Sequence, residues 1–294
     1  MPALIEEGRA KVNLTLRVVG RRVDGYHELE SVVAFADCAD RLSLTPADSL
    51  RLKIIGPLAN DCGDSADNLV LKAAQLLGER VPDLHVGEFV LDKVLPVAAG
   101  IGGGSADAAA ALRLLARLNG LALDDRRLIE VAVETGADVP VCLGSRACDM
   151  TGIGETLLPL SLPEMPCVMV NARVAVATRD VFAALGLRNG ELLVGATDVI
   201  RAEAWPDAGA SIGDWIDALS GGCNDLEGAA MRIQPVIGEV LTVLAAAAGA
   251  RLARMSGSGA TCFAIFEDAA TAQRAAQQIG HHHPNWWLHT GTLS

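Results

Sequence analysis

The stretch Leu95-Pro96-Val97-Ala98-Ala99-Gly100-Ile101-Gly102-Gly103-Gly104-Ser105-Ala106-Asp107-Ala108 is the part of the chain best suited to hold an anion. Its glycines remove the Cβ atoms that would keep a ligand from the backbone, and they permit positive φ. Leu112, Leu115 and Leu118 then recur at helical spacing in an Ala/Leu-rich segment. A helix start offers unpaired N–H groups and partial positive charge, so a glycine loop placed there suits a phosphate. A tight turn without ligand is the plain alternative. Gly100-Ile101-Gly102 with Gly103-Gly104 also satisfies a dinucleotide-binding expression. That fingerprint, however, belongs after the first strand of a βαβ unit, with an acidic residue about 20 positions on. Here it comes late, and Asn119-Gly120-Leu121 ends a helix ahead of Asp124 and Asp125 instead of opening a second strand. A Walker A loop is excluded, because no Gly-Lys-Ser/Thr follows the glycines.

Other residues could do chemistry beside such a loop. Ala10–Val18 alternates, with Val12, Leu14, Leu16 and Val18 on one side. This predicts a half-buried strand whose opposite face carries Lys11, Asn13 and Thr15, either in solvent or looking into a site. Gly20-Arg21-Arg22-Val23-Asp24-Gly25-Tyr26-His27 holds the only tyrosine beside a histidine, a pair able to stack on and hydrogen-bond a flat ring. Asp138, flanked by Ala137 and Val139, is either a cap or turn former or a carboxylate that orients a hydroxyl and accepts its proton. A second Gly/Ser loop, Ser256-Gly257-Ser258-Gly259-Ala260-Thr261, could close over phosphates or serve as a hairpin turn. His281-His282-His283, in an extended surface loop, would point to alternate faces and chelate poorly.

The totals bound the partner. A chain of 294 residues can form one large or two medium domains. Its formal net charge of −12 argues against nucleic acid as a partner, since phosphate backbones are held by clustered Lys and Arg. Any phosphate site is therefore a local exception, and a small-molecule partner is expected. Seven scattered cysteines without a C-x-x-C pair fit reduced thiols in a cytoplasm. Met1–Glu7 shows no signal-peptide pattern, and the apolar run Val240–Ala250 is short of the about 20 residues a bilayer needs, so no membrane is expected.

Positioning these residues falls to an α+β arrangement of early strands followed by helices. Strands are expected at Glu30–Ala36 and Arg41–Thr45, joined by Asp37–Asp40, and at Arg51–Ile55 and Glu88–Leu91. Asp67-Asn68 should cap a helix to about Leu77. A helix over Asp124–Glu134 should stop at Gly136, with Pro140 preventing its resumption nearby. Strands follow at Arg146–Met150, Glu155–Leu158 and Pro166–Asn171. Thr178 then reads as an N-cap, with Phe182 one turn later. Gly186–Asp214 is irregular, and a long helical tract should run from Asn224 to about Ala248. The strand Cys262–Phe266, a helix over Asp268–Ile279 and the strand Trp286–Leu288 complete the series.

Ala10–Leu14, Pro96–Ala109 and Met255–Ala260 together resemble the three ordered motifs of the GHMP kinase superfamily, which includes galactokinase, homoserine kinase, mevalonate kinase and phosphomevalonate kinase. Gly20–His27 and Thr135–Pro140 resemble the branch acting on a methylerythritol alcohol that carries a cytidine diphosphate. The resemblance covers roughly residues 8 to 290. It implies a two-domain fold: an N-terminal domain like ribosomal protein S5 domain 2, residues 1–160, and a C-terminal ferredoxin-like α/β sandwich, residues 161–294. It implies a cytoplasmic kinase, monomeric or weakly dimeric, that uses ATP and Mg²⁺ to phosphorylate the C2 hydroxyl of that small molecule. The runner-up is another kinase of the group, acting on mevalonate, homoserine or a sugar. The catalytic residues implied are Asp138, taking the hydroxyl proton, and Lys11, steadying Asp138 and the transferring charge. Tyr26 and Phe182 would sandwich the cytosine, His27 would read its polar edge, and Asn13 and Thr178 would contact the substrate. Asn68, Lys93, Pro96, Gly100, Ile101, Gly102, Gly103, Gly104, Ser105, Ala106, Gly257 and Ser258 would hold ATP, Asn68 and Lys93 on its adenosine side. The metal ligands are not implied. The chain departs from the family's usual Ser-Ser after the glycines: Ala106 lacks a hydroxyl, and Asp107 would repel a triphosphate unless it faces away or reaches the metal.

Overall fold

A computed structural model of the chain describes residues 3–63, 68–193 and 205–294. Asp67, expected to share a cap with Asn68, lies outside the described residues. The chain forms two compact units, one of Met1–Lys11, Cys38–Val97 and Gly102–Ser145, the other of Val12–Asp37, Ala98–Ile101 and Arg146–Ser294.

In the first unit, strands β4 (Arg51–Ile55) and β5 (Gly87–Asp92) run parallel, joined through helix α1 (Leu69–Arg80). β5 pairs antiparallel with Arg41–Pro46 of β3 (His27–Pro46). Helix α2 (Gly103–Asn119) packs against α1 and against α4 (Val139–Gly144), and α3 (Arg126–Thr135) packs on α1. Almost every α2 residue from Ala106 to Ala116 is buried, and its many alanines let neighbouring helices approach closely.

The second unit contains β2 (Arg17–Arg21), paired antiparallel with His27–Glu30 of β3, and β6 (Cys148–Gly152), which pairs with Leu29–Val33 of β3 and with β7 (Thr156–Pro159). Its larger sheet comprises β8 (Met165–Asn171), β9 (Ala250–Met255), β10 (Cys262–Phe266) and β11 (Trp287–Leu293). These are antiparallel in the order β11-β8-β10-β9, with helices inserted between β8 and β9 and between β10 and β11. That is the order of a ferredoxin-like sandwich. β8 is buried on both faces. Helices α8 (Val236–Ala245) and α9 (Ala269–His282) cover the sheet, with Ile237, Val240, Leu244, Ala272, Ala276 and Ile279 in one core with Val168, Val170 and Phe266. Each such Val, Leu, Ile or Phe contributes about 1.5–3 kcal/mol by leaving water. Arg254 is buried beneath this layer and donates to the carbonyls of Leu14 (2.6 Å), Leu219 (3.2 Å) and Gly222 (2.6 Å). The remaining helices are α5 (Thr178–Ala183), α6 (Ile212–Ser220) and α7 (Glu227–Ile233).

Several expectations are corrected. The strands at Glu30–Ala36 and Arg41–Thr45 are one twenty-residue strand, because Asp37–Asp40 stays extended. The alternating run at Ala10–Val18 is two strands, β1 (Leu4–Asn13) and β2, and Lys11, Asn13 and Thr15 are buried where a half-buried strand was expected. Pro140 does not block a helix: it lies in the first turn of α4, where its missing N–H costs nothing. The tract from Asn224 to Ala248 breaks into α7 and α8 around Pro235. His281 and His282 form the last turn of α9 and His283 its C-cap, so the first two are helical and not in a loop.

Candidate active site

Lys11 and Asp138, 127 positions apart, meet in the first unit: Lys11 Nζ lies 3.0 Å from Asp138 Oδ2. The lysine side chain is 5% exposed and the carboxylate side chain 36%. Asp138 occupies the N-cap position of α4, yet its side chain makes no capping bond and is turned to the lysine. Two other cations fix the turn that carries it. Lys72 donates to the carbonyls of Glu134 and Thr135, each at 2.9 Å, closing the end of α3. Arg113 donates to the carbonyl of Cys142 at 2.9 Å, closing the end of α4. Cations suit helix C-termini, where carbonyls lack partners. Neither residue stood out in the sequence, because a lone Lys or Arg on a helix reads as a solvated face.

Gly102 is the N-cap of α2, with φ +63. A Cβ built there would stand 3.3 Å from Lys11 Cβ and 3.9 Å from Asp138 Oδ2. The lysine–carboxylate couple therefore lies beside the start of α2. The first intrahelical bond there runs from the Ala106 N–H to the Gly102 carbonyl, so the amides of Gly103, Gly104 and Ser105 have no acceptor within the helix. Gly104 is exposed, Ser105 half-buried and the Ala106 methyl buried. Asn68 caps α1 by accepting from the Val70 N–H at 2.9 Å, and a Cβ on Gly104 would lie 3.7 Å from Leu69 beside it. Pro96 is buried at the loop entrance. Lys93 does not offer a free ammonium: its Nζ donates to Asp40 Oδ2 at 2.5 Å and Asp107 Oδ2 at 2.7 Å. Asp107 thus faces into the protein.

In the second unit, Gly100 lies against the second glycine loop. Ser256 Oγ donates to the Gly100 carbonyl at 2.9 Å, and the Thr261 N–H donates to Ala99 at 3.0 Å. A Cβ on Gly257 (φ +54) would meet the Gly100 carbonyl at 2.7 Å, so the close approach needs glycine. Ile101 beside it is fully buried. Asn224 donates to the carbonyls of Met255 (2.7 Å) and Gly257 (2.8 Å), tying the loop down. That role was hidden in the sequence, where Asn224 read only as a helix start. Ser258 Oγ and Thr178 Oγ1 are 2.9 Å apart. Thr178 is therefore the first residue of α5 with its hydroxyl on Ser258, not a cap; Ala177 holds the N-cap position without a side-chain bond.

The His27 and Phe182 rings meet at 4.5 Å, tilted by 31°. His27 Nε2 is buried without a hydrogen-bond partner among the described residues. Burial, reinforced by the Arg21 guanidinium, lowers the His27 pKa and favours the neutral ring. Arg21 donates to the carbonyls of Gly25 (3.2 Å) and Leu187 (3.0 Å), holding the turn that carries Tyr26, which is 59% exposed. Asn13 donates to Ser31 Oγ at 2.7 Å, while its own Oδ1 is buried without a partner among the described residues. The predicted residues are thus gathered into two sets: Lys11, Asp138, Asn68, Lys93, Pro96 and Gly102–Ala106 in the first unit, and Asn13, Tyr26, His27, Thr178, Phe182, Gly100, Ile101, Gly257 and Ser258 in the second.

Comparison with known proteins follows the same lines. The family described as "GHMP kinases N terminal domain" matches residues 68–146, and "GHMP kinases C terminal" matches residues 208–285. A protein of Bradyrhizobium diazoefficiens named 4-diphosphocytidyl-2-C-methyl-D-erythritol kinase is 74% identical over 294 residues, covering 100% of this chain and 99% of that one. One of the same name from Rhodopseudomonas palustris is 70% identical, covering 99% of this chain and 95% of its own. A crystal structure of 4-(cytidine 5'-diphospho)-2C-methyl-D-erythritol kinase aligns with TM-score 0.76 at 35% identity, covering 99% of both chains. Homoserine kinase from Cytophaga hutchinsonii shares the fold, with TM-score 0.72 at 17% identity over 100% of this chain and 95% of that one.

Proposed function

The chain belongs to the GHMP kinase family, and on that premise we propose that it transfers the γ-phosphoryl group of ATP to the C2 hydroxyl of 4-diphosphocytidyl-2-C-methyl-D-erythritol, a step of isoprenoid precursor synthesis. The observation that carries the mechanism is the 3.0 Å contact of Lys11 with Asp138 beside the Gly102 cap. Phosphoryl transfer depends on positioning and charge stabilisation more than on covalent chemistry. Asp138 orients the alcohol and takes its proton as the oxygen attacks the γ-phosphorus and ADP leaves. Lys11 holds that carboxylate and offsets charge on the moving phosphoryl group. The amides of Gly103, Gly104 and Ser105 receive the phosphates; Gly100, Ile101, Ala106, Pro96, Gly257 and Ser258 are assigned to ATP, and Asn68 and Lys93 to its adenosine side, Lys93 by holding the loop and not by its paired ammonium.

On the substrate side the proposal assigns Tyr26 and Phe182 to the cytosine ring, His27 to its polar edge, and Asn13 and Thr178 to the alcohol portion. The unpartnered His27 Nε2 and Asn13 Oδ1 support it, because a buried polar atom without a partner costs about 1–3 kcal/mol unless a ligand meets it. Mg²⁺ is proposed as the accompanying cation. Among the described residues no group of three carboxylate, histidine or cysteine side chains could hold a metal. Ser105 Oγ, half-buried at the start of α2, and the partly exposed Asp138 carboxylate are oxygens of the hard-donor type that would hold such an ion beside its waters and phosphates. When bound, it would neutralise phosphate charge.

The same proposal places the protein in the cytoplasm as a monomer or weak homodimer, with family domains over residues 1–160 and 161–294. All seven cysteines are free, and no helix of the described residues is long and apolar enough to cross a membrane. The test is ADP release with the cytidine-linked alcohol, the product identified by phosphorus NMR. Asp138→Asn should lose about 10²–10⁴-fold in kcat with little change in either KM. Undiminished turnover would remove Asp138 from its role; turnover only with mevalonate, homoserine or a sugar would replace the substrate.

A further inference from the structure

The glycine loop is entered and left through one buried ion cluster in the first unit. Lys93 follows β5 and reaches both Asp40 and Asp107, and the three side chains are 4%, 0% and 4% exposed. Asp40 lies in β3, and its Oδ1 accepts from the N–H of Val94 (2.7 Å) and of Leu95 (2.9 Å), where the loop begins. Asp107 stands one turn into α2, the helix to which the loop leads. Room for the cluster is made by two missing Cβ atoms. One on Gly8 would lie 2.8 Å from Asp107 Oδ1, and one on Gly103 would lie 3.3 Å from Lys93 Nζ.

The charges do not balance internally, since one ammonium faces two carboxylates. Both Asp40 oxygens are bonded, whereas Asp107 Oδ1 is buried with no hydrogen-bond partner among the described residues. Burial, with Asp40 adding to it, pushes the Asp107 carboxyl up against the opposing pull of Lys93. Burial alone would lower the Lys93 pKa, but the two carboxylates outweigh it and raise it. Buried ion clusters are weak sources of stability, and their best-attested use is to fix register.

We propose that Asp40, Lys93 and Asp107 are positioning residues that hold the two ends of the phosphate loop in register, so that Lys93 acts on ATP through the loop and not through its ammonium. The inference rests on the kinase reading. It separates nucleotide binding from binding of the cytidine-linked alcohol, to which no member of the cluster is assigned.

The experiment titrates ADP into the full chain by calorimetry and measures KM for both substrates in four proteins: the unaltered protein, Asp107→Asn, Asp107→Leu, and Lys93→Met with Asp107→Leu. Asp107→Asn keeps an oxygen for Lys93 and should bind ADP within about threefold of the unaltered protein. Asp107→Leu should weaken ADP binding and raise the ATP KM roughly ten- to a hundredfold, the scale of a displaced positioning group. Its KM for the alcohol should stay within about twofold. The double variant leaves Asp40 without a cation, a buried carboxylate that neutralises by taking up a proton, and should bind ADP no better than Asp107→Leu. Should Asp107→Leu fail to fold, the double variant decides alone. ADP binding by the double variant as tight as the unaltered protein's, or equal rises in both KM values, would overturn the proposal by leaving the cluster a purely structural part. An unaltered protein that bound no ADP would instead overturn the kinase reading itself.

Discussion

Tyr26 keeps 59% of its surface in solvent, while His27 beside it packs its ring on Phe182. An exposed ring contributes little to the fold, so its removal should be felt by the ligand. Base–aromatic stacking is worth about 1–3 kcal/mol. Tyr26→Ala should therefore raise the KM for the cytidine-linked alcohol roughly 5- to 150-fold while leaving the ATP KM and the melting temperature nearly unchanged. Steady-state kinetics with each substrate varied in turn checks this. At this scale residue types were legible in the sequence and partners were not. Asp138 read equally as a cap or as a proton acceptor, and Lys11 lies too far along the chain to settle it. Lys93 is an ATP contact by the family resemblance alone, and nothing local announces that Asp40 and Asp107 converge on it.

Elements were legible where local propensity decides. The α2 helix follows from its Ala and Leu spacing, and β4 runs over the expected Arg51–Ile55. They were misread where a proline or a long-range partner decides. Pro140 opens α4 because it falls in the first turn, whereas Pro235 divides α7 from α8. The Gly102 cap brings local conformation and site together. A side chain at φ +63 costs about 1–2 kcal/mol, and a Cβ 3.3 Å from Lys11 would press on the lysine. Gly102→Ala should lower stability by about that amount in urea unfolding and reduce kcat more than the melting loss explains. Wild-type kcat in this variant would dissociate the cap from the lysine–carboxylate couple.

Stability against pH is a property of the molecule as a whole, and His27 gives it one sign. Its native pKa lies below the ordinary 6.5, first by burial and then by Arg21. As pH falls through about 6.5 the unfolded chain binds a proton that the native ring resists, so stability drops on the acid side. His27→Gln should flatten that part of the curve in urea titrations between pH ~5.5 and ~7.5. An unchanged slope would assign it to other groups. The net charge of −12 and the strand-then-helix pattern bounded partner and class, but the β11-β8-β10-β9 order rests on pairings such as Trp287 with Asn171 that no local pattern encodes. Arg254 carries that dependence into biosynthesis. The carbonyl of Leu14 waits for a guanidinium 240 positions downstream. Any stretch made before Arg254 therefore lacks this contact, and the carbonyl is left to water until the residue 240 positions on has been added.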